Sequence, residues 1–129
     1  MSSKRQMRIM VVDDMATSRG QIVQALEQIG LFNTEVASDA RIAFHEIAAK
    51  RVHLVISDYN MPGVDGLQLL QSLRSNAPTR GVGFILVTGR ADEATVAQGR
   101  ALGMNNIIRK PFTPASMKSC IEAVVGPLG

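Results

Sequence analysis

Short apolar runs alternate with longer amphipathic stretches along this chain, and no other feature constrains its fold as strongly. Strand-like runs occupy residues 8–12, 34–37, 53–57, 83–87 and 106–109. Apolar residues at helical spacing follow each run, at about 17–29, at about 39–50, from 67, at about 92–102 and from 114. Strands that alternate with helices predict βα units around a parallel sheet. We therefore expect an α/β fold of five βα units.

The length and composition favour one soluble globular domain. The chain has 129 residues, 46% apolar and 19% charged, without an internal repeat or an interdomain linker. We predict a single domain over 1–129, with its core at about 7–126 and no output domain. The net charge of +3 comes from Lys and Arg residues that are mostly scattered and form no recognition motif. We therefore expect no nucleic-acid partner.

Nothing in the sequence indicates export or membrane insertion. No apolar run approaches the ~20 residues of a spanning helix, and the N-terminus lacks the apolar core of a signal peptide. The single cysteine, Cys120, leaves no internal disulfide and agrees with a reducing compartment. We predict a cytoplasmic protein.

Polar groups follow four of the predicted strands at the point where each strand ends. Asp13 and Asp14 follow the first, Asp58 the third, Thr88 the fourth and Lys110 the fifth. Because sites in open parallel sheets form beyond the carboxyl ends of the strands, we expect these groups to converge on one pocket. A single strand-end Asp is more often a turn residue or helix cap, so the joint placement carries the prediction.

The chemistry of such a pocket suggests metal-assisted phosphoryl transfer. Three ionised carboxylates repel one another, and Mg²⁺, which favours oxygen ligands, relieves the repulsion. We predict Asp14 and Asp58 as side-chain ligands and Asp13 as a direct or water-mediated ligand. A second oxygen of Asp58 can attack phosphorus to form an acyl phosphate. Lys110 would neutralise the phosphoryl oxygens and Thr88 would donate a hydrogen bond to them.

Several segments resemble the receiver domain of two-component response regulators, above all the stand-alone regulators of chemotaxis. The likeness spans nearly the whole chain, and its motifs are Val11-Val12-Asp13-Asp14, Ser57-Asp58-Tyr59-Asn60-Met61-Pro62, Asp65-Gly66, Val87-Thr88-Gly89 and Lys110-Pro111-Phe112. It implies a flavodoxin-like sheet of strand order 2-1-3-4-5 with helices on both faces. It also implies a phosphoacceptor switch that catalyses its own phosphorylation and dephosphorylation, rather than a conventional enzyme.

The resemblance assigns roles to individual residues. Asp58 would accept the phosphoryl group of a phosphohistidine on a sensor histidine kinase of the CheA-like type. The backbone carbonyl of Asn60 would join the aspartates as a metal ligand, and Lys110–Pro111 would be a cis peptide. The phosphoryl group would draw in Thr88 and Lys110 and bias the surface formed by the fourth helix, fifth strand and fifth helix. We expect a monomer.

Four positions would modulate that switch, and two of them depart from the family pattern. Ile107 stands where the family has its switch aromatic, and Arg90 stands where chemotaxis relatives often carry an acid. We predict altered coupling from Ile107 and an altered dephosphorylation rate from Arg90. Gly89 would leave room for a phosphodonor, and Tyr59 is either a gate beside the site or a loop anchor.

The sequence is also compatible with two other functions, each of which would need a further feature. An Mg²⁺-dependent aspartyl phosphatase would need a second acid two residues after its nucleophile, where Asn60 stands. A flavodoxin-like FMN protein would need a phosphate-binding first loop, where Asp13 and Asp14 would repel an anion. Within the receiver hypothesis, the phosphorylated protein either binds a flagellar motor switch protein or drains phosphoryl groups from a shared chemotaxis kinase.

Overall fold

The computed structural model describes residues 3–128, and it contains the five predicted βα units. The strands are β1 (Ile9–Val12), β2 (Thr34–Ala37), β3 (Leu54–Asp58), β4 (Gly83–Thr88) and β5 (Asn106–Arg109). The α-helices are α1 (Ala16–Gln28), α2 (Ala40–Ala49), α3 (Gly66–Arg74), α4 (Glu93–Ala101) and α5 (Pro114–Val125). Short 3₁₀ segments lie at Ser3–Gln6 and Ala77–Thr79; the sequence predicted no element at the first of these.

All five strands are parallel and lie in the order β2-β1-β3-β4-β5, which confirms the predicted α/β, flavodoxin-like arrangement. From β1 the chain places β2 at one edge of the sheet. It then places β3, β4 and β5 in turn on the other side of β1. The order therefore reverses beside β1 and β3, the position at which open α/β sheets form their binding crevices.

Side-chain alternation along the strands builds a core on each face of the sheet. In β1, Met10 and Val12 pack with α2 and α3, whereas Ile9 and Val11 pack with α1 and α5. All four are buried, as expected for a parallel sheet covered on both sides. The two apolar layers hold the strand ends in fixed positions.

Local signals explain where the helices begin and end. Asp39 and Asp92 cap α2 and α4 through their side chains, and Asp65 forms a reciprocal capping box with Gln68 at α3. A glycine with positive φ, Gly30, follows α1. No helix in the described range 3–128 is long and apolar enough to cross a membrane.

Gly99 lies inside α4, where a glycine costs about 1 kcal/mol relative to alanine, and the structure shows a packing reason for it. A Cβ at this position would lie 2.7 Å from the Met104 sulfur. The glycine therefore lets the end of Met104 pack directly against the helix backbone.

Candidate functional site

Strand register brings the predicted site residues to one edge of the sheet. Val12 of β1 is level with Ser57 of β3, so the residues that follow, Asp13 and Asp58, are neighbours at the carboxyl edge. Thr88 of β4 is level with Arg109 of β5, and the backbone N–H of Lys110 donates to the Thr88 carbonyl at 2.9 Å. The shared edge follows from parallel pairing alone.

Three carboxylates form the acidic centre of this edge. Asp13, Asp14 and Asp58 each offer an oxygen within 4.8 Å of the other two. Asp13 is fully buried and Asp58 is 7% exposed, whereas Asp14 is exposed. Two of the three carboxylates are therefore largely removed from water. Repulsion between like charges is stronger in the protein interior than in water.

Among the described residues, Lys110 is the cation that forms ion pairs with this centre. Its Nζ lies 3.0 Å from Oδ1 of Asp58 and 3.8 Å from Oδ2 of Asp13. Burial raises the pKa of Asp58, and its hydrogen bond and charge interaction with Lys110 oppose that rise. The nearby Asp13 charge adds to the rise in this pKa. One ammonium thus faces three carboxylates, which leaves an excess of negative charge.

The donor set fits a hard divalent cation. The three carboxylates are oxygen ligands of the kind that Mg²⁺ selects, and two positive charges would offset the excess that Lys110 leaves. Asp13, Asp14 and Asp58 would hold such an ion. When bound, it would supply positive charge that stabilises negative charge developing on a phosphoryl group.

Thr88 is buried at the end of β4, but its hydroxyl bonds to its own loop. The Oγ1 atom accepts from the backbone N–H of Arg90 at 3.1 Å and donates to the Arg90 carbonyl at 3.2 Å. To donate to a group on Asp58, this hydroxyl would have to give up its bond to the Arg90 carbonyl, because it carries one proton. Beside it, a Cβ on Gly89 would meet nothing within 4 Å, so the space over the loop is open.

The remaining predicted positions surround the centre. Tyr59 is half-buried, and its backbone donates to the Val87 carbonyl and accepts from the Gly66 N–H. Asn60 is exposed two residues beyond Asp58. Ile107 is half-buried and packs against the core layer that contains α2 and α3, with its backbone carbonyl near the Cys120 thiol. The Lys110–Pro111 peptide is cis.

Two residues that the sequence motifs did not single out contact Asp13. The hydroxyl of Ser18 donates to Oδ2 of Asp13 at 2.5 Å, and the Arg19 guanidinium donates to the Asp13 carbonyl at 2.9 Å. Both residues lie in the first turns of α1. Their position in the helix that directly follows Asp13 was the available signal, since its first turn must lie beside that strand end.

Comparisons with known proteins agree with this geometry. The family model "Response regulator receiver domain" matches residues 9–122. The chain belongs to the response regulator receiver family. A curated receiver relative, the "Probable chemotaxis protein CheY" of Rhizobium etli, is 41% identical over 128 residues, which are 99% of each chain.

Two further comparisons place the chain among receiver proteins with CheY in their names. The "Chemotaxis protein CheY-3" of Vibrio cholerae is 29% identical over 120 residues, covering 93% of this chain and 92% of that protein. The solved structure of Vibrio cholerae chemotaxis protein CheY4 superposes with a TM-score of 0.85 at 24% identity, covering 92% of this chain and 98% of the other. The superposition supports the receiver fold.

Proposed function

We propose that this receiver domain is a phosphoacceptor switch whose covalent site is Asp58. The observation that carries the proposal is the position of its carboxylate: nearly buried, 3.0 Å from the Lys110 ammonium and grouped with two further carboxylates. A nucleophile held beside a cation and a metal-binding group is suited to attack phosphorus.

The donor would be the phosphohistidine of a CheA-like sensor histidine kinase. An oxygen of Asp58 forms the new O–P bond while the N–P bond to the imidazole breaks, and the imidazole takes up a proton as it leaves. Lys110 neutralises the incoming oxygens. The open space around the exposed Gly89 gives the donor access to the site. These steps require no domain other than the single one proposed over 1–129.

Phosphorylation would act on the β4–α4 side of the site. The added group carries about −1.5 to −2 charges. It would compete with the Arg90 backbone for the Thr88 hydroxyl, and the exposed Arg90 would then modulate loss of the phosphoryl group. The resulting change in the β4–α4 loop would spread to the surface of α4, β5 and α5.

A small phosphodonor tests the covalent assignment. The full chain, incubated with acetyl phosphate and Mg²⁺, should gain one phosphoryl group by mass spectrometry, and EDTA should suppress the gain. Asp58→Asn should abolish it. The matched control Asp39→Asn changes a half-buried helix-capping aspartate and should label like the wild type. Equal labelling of Asp58→Asn would reject the proposal.

In the cell, we propose a cytoplasmic, monomeric chemotaxis regulator that binds a flagellar motor switch protein when phosphorylated. The 41% identity to a probable CheY supports this role. The half-buried aliphatic Ile107 favours the alternative of a phosphate sink, because it has no aromatic ring to couple the site to a docking face. Titration of a motor-switch peptide with and without beryllofluoride decides between them: no gain in affinity on activation favours the sink.

A further inference from the structure

Asp13 is held by the start of α1 as well as by its own strand. Its Oδ1 accepts from the backbone N–H of Met15 at 2.9 Å, and its Oδ2 accepts from the Ser18 hydroxyl at 2.5 Å. Lys110 approaches Oδ2 only to 3.8 Å, beyond hydrogen-bond distance. Among the described contacts, the Ser18 hydroxyl is therefore the hydrogen-bond donor to Oδ2.

The Ser18 contact is not a routine helix-end interaction. Ser18 is the third residue of α1, where a serine side chain usually turns to solvent or bonds to nearby backbone. The N-cap residue is Met15, which has no side-chain cap hydrogen bond. The Ser18 hydroxyl instead donates to a carboxylate five residues earlier. This contact does not cap the helix, so its effect falls on the Asp13 carboxylate.

That effect is orientation. Asp13 is fully buried, so an oxygen without a donor would drive its carboxylate to rotate or to remain unsatisfied. With Met15 on one oxygen and Ser18 on the other, a single rotamer is retained before any cation arrives. A carboxylate already in place loses less conformational freedom when it binds a ligand. Outer groups that orient metal-binding carboxylates commonly change metal affinity by 10- to 100-fold.

We infer that Ser18 is a positioning residue for the acidic centre, and that its hydroxyl presets Asp13 for a divalent cation. This inference rests on the proposed function of the site. It assigns a role in cation affinity to α1, a helix that contributes no carboxylate to the centre. Ser18 does not touch the ion or the phosphoryl group in this role; it acts through Asp13.

Calorimetric titration of the full chain with Mg²⁺ alone measures this role without any phosphodonor. Ser18→Ala should weaken Mg²⁺ binding about tenfold, because Oδ2 of Asp13 loses its donor. Ser18→Thr keeps the hydroxyl and should bind Mg²⁺ within about threefold of the wild type. The matched control Thr17→Ala removes an exposed hydroxyl from the same helical turn and should leave the affinity unchanged.

The outcomes separate the two proposals. If the wild type binds Mg²⁺ and Ser18→Ala binds it equally tightly, the positioning role is rejected while the phosphoacceptor proposal stands. If the wild type itself binds no Mg²⁺, both proposals fail. Urea unfolding in EDTA reports whether Ser18→Ala is folded. A folded variant with weakened affinity that Ser18→Thr restores supports the inference, and weakening that Ser18→Thr does not restore contradicts it.

Discussion

Helices α3 and α4 have the same length and follow adjacent strands, yet they are held very differently. Each has nine residues and a capping aspartate. Five residues of α3 are buried, four of them leucines, whereas α4 buries Thr95 and Gly99. Apolar burial supplies most helix stability in proteins. The comparison shows a rigid support behind Asp58 and a weakly packed helix beyond Thr88.

Arg74, at the end of α3, connects this helix to the loop that follows α4. Its guanidinium donates to the carbonyls of Val82 and Gly103 and to the side chain of Asn105. Gly103 follows the end of α4, so this end is tied to α3. The opposite end of α4 follows the open loop of Gly89 and Arg90. Segments with few buried contacts open most easily, and α4 is therefore free to respond at the end nearest the site.

Removing core contacts from each helix should give the largest effect. Leu70→Ala, at a fully buried position of α3, should lower the free energy of unfolding by about 2–5 kcal/mol. Val96→Ala, at a half-buried position of α4, should cost less than about 1 kcal/mol because less area is buried. Urea unfolding measures both. Equal losses would mean that α4 is as firmly packed as α3.

A smaller effect is expected where α3 begins. A Cβ at Gly66 would overlap the carbonyl oxygen of Asp58, whereas a Cβ at Gly89 would meet nothing within 4 Å. Gly66→Ala should therefore cost about 1–3 kcal/mol of stability through forced backbone shifts. Gly89→Ala, on the β4–α4 side, should change it by less than about 0.5 kcal/mol. A tolerated Gly66→Ala would show that the support behind Asp58 can yield.

The smallest expected effect tests whether α5 is packed more firmly than α4. Burial raises the pKa of the Cys120 thiol on α5 to about 11. The unfolded thiol ionises at lower pH, so folding stability from this group is intact below pH 9 and falls as pH rises toward 11. By pH 9.5 the loss should be under about 1 kcal/mol.

Cys120→Ala provides the control for this pH dependence, because other groups also titrate in alkali. The difference in unfolding free energy between the wild type and Cys120→Ala should change in favour of the variant above pH 9. A difference that stays constant with pH would mean that the thiol is accessible in the folded protein. The weak packing of α4 would then extend to α5.

Much of the fold was predictable because its signals are local. All five strands and the starts of all five helices lie within one or two residues of their predicted positions, since apolar periodicity and capping residues act over a few positions. The grouping of Asp13, Asp14, Asp58 and Lys110 was predictable for a related reason: the ends of parallel strands share an edge. Neither prediction needed any interatomic distance.

The sequence by itself determined the order of the elements and the edge at which the charged groups meet. Tertiary structure alone decided which atoms of distant residues pair: the Arg74 guanidinium with the Gly103 carbonyl after α4, and the Lys110 ammonium with Oδ1 of Asp58. It also buried Asp58 and so raised its pKa. The physical reason is range: periodicity acts over a few residues, whereas a hydrogen bond needs an approach within about 3 Å that packing of the whole chain sets.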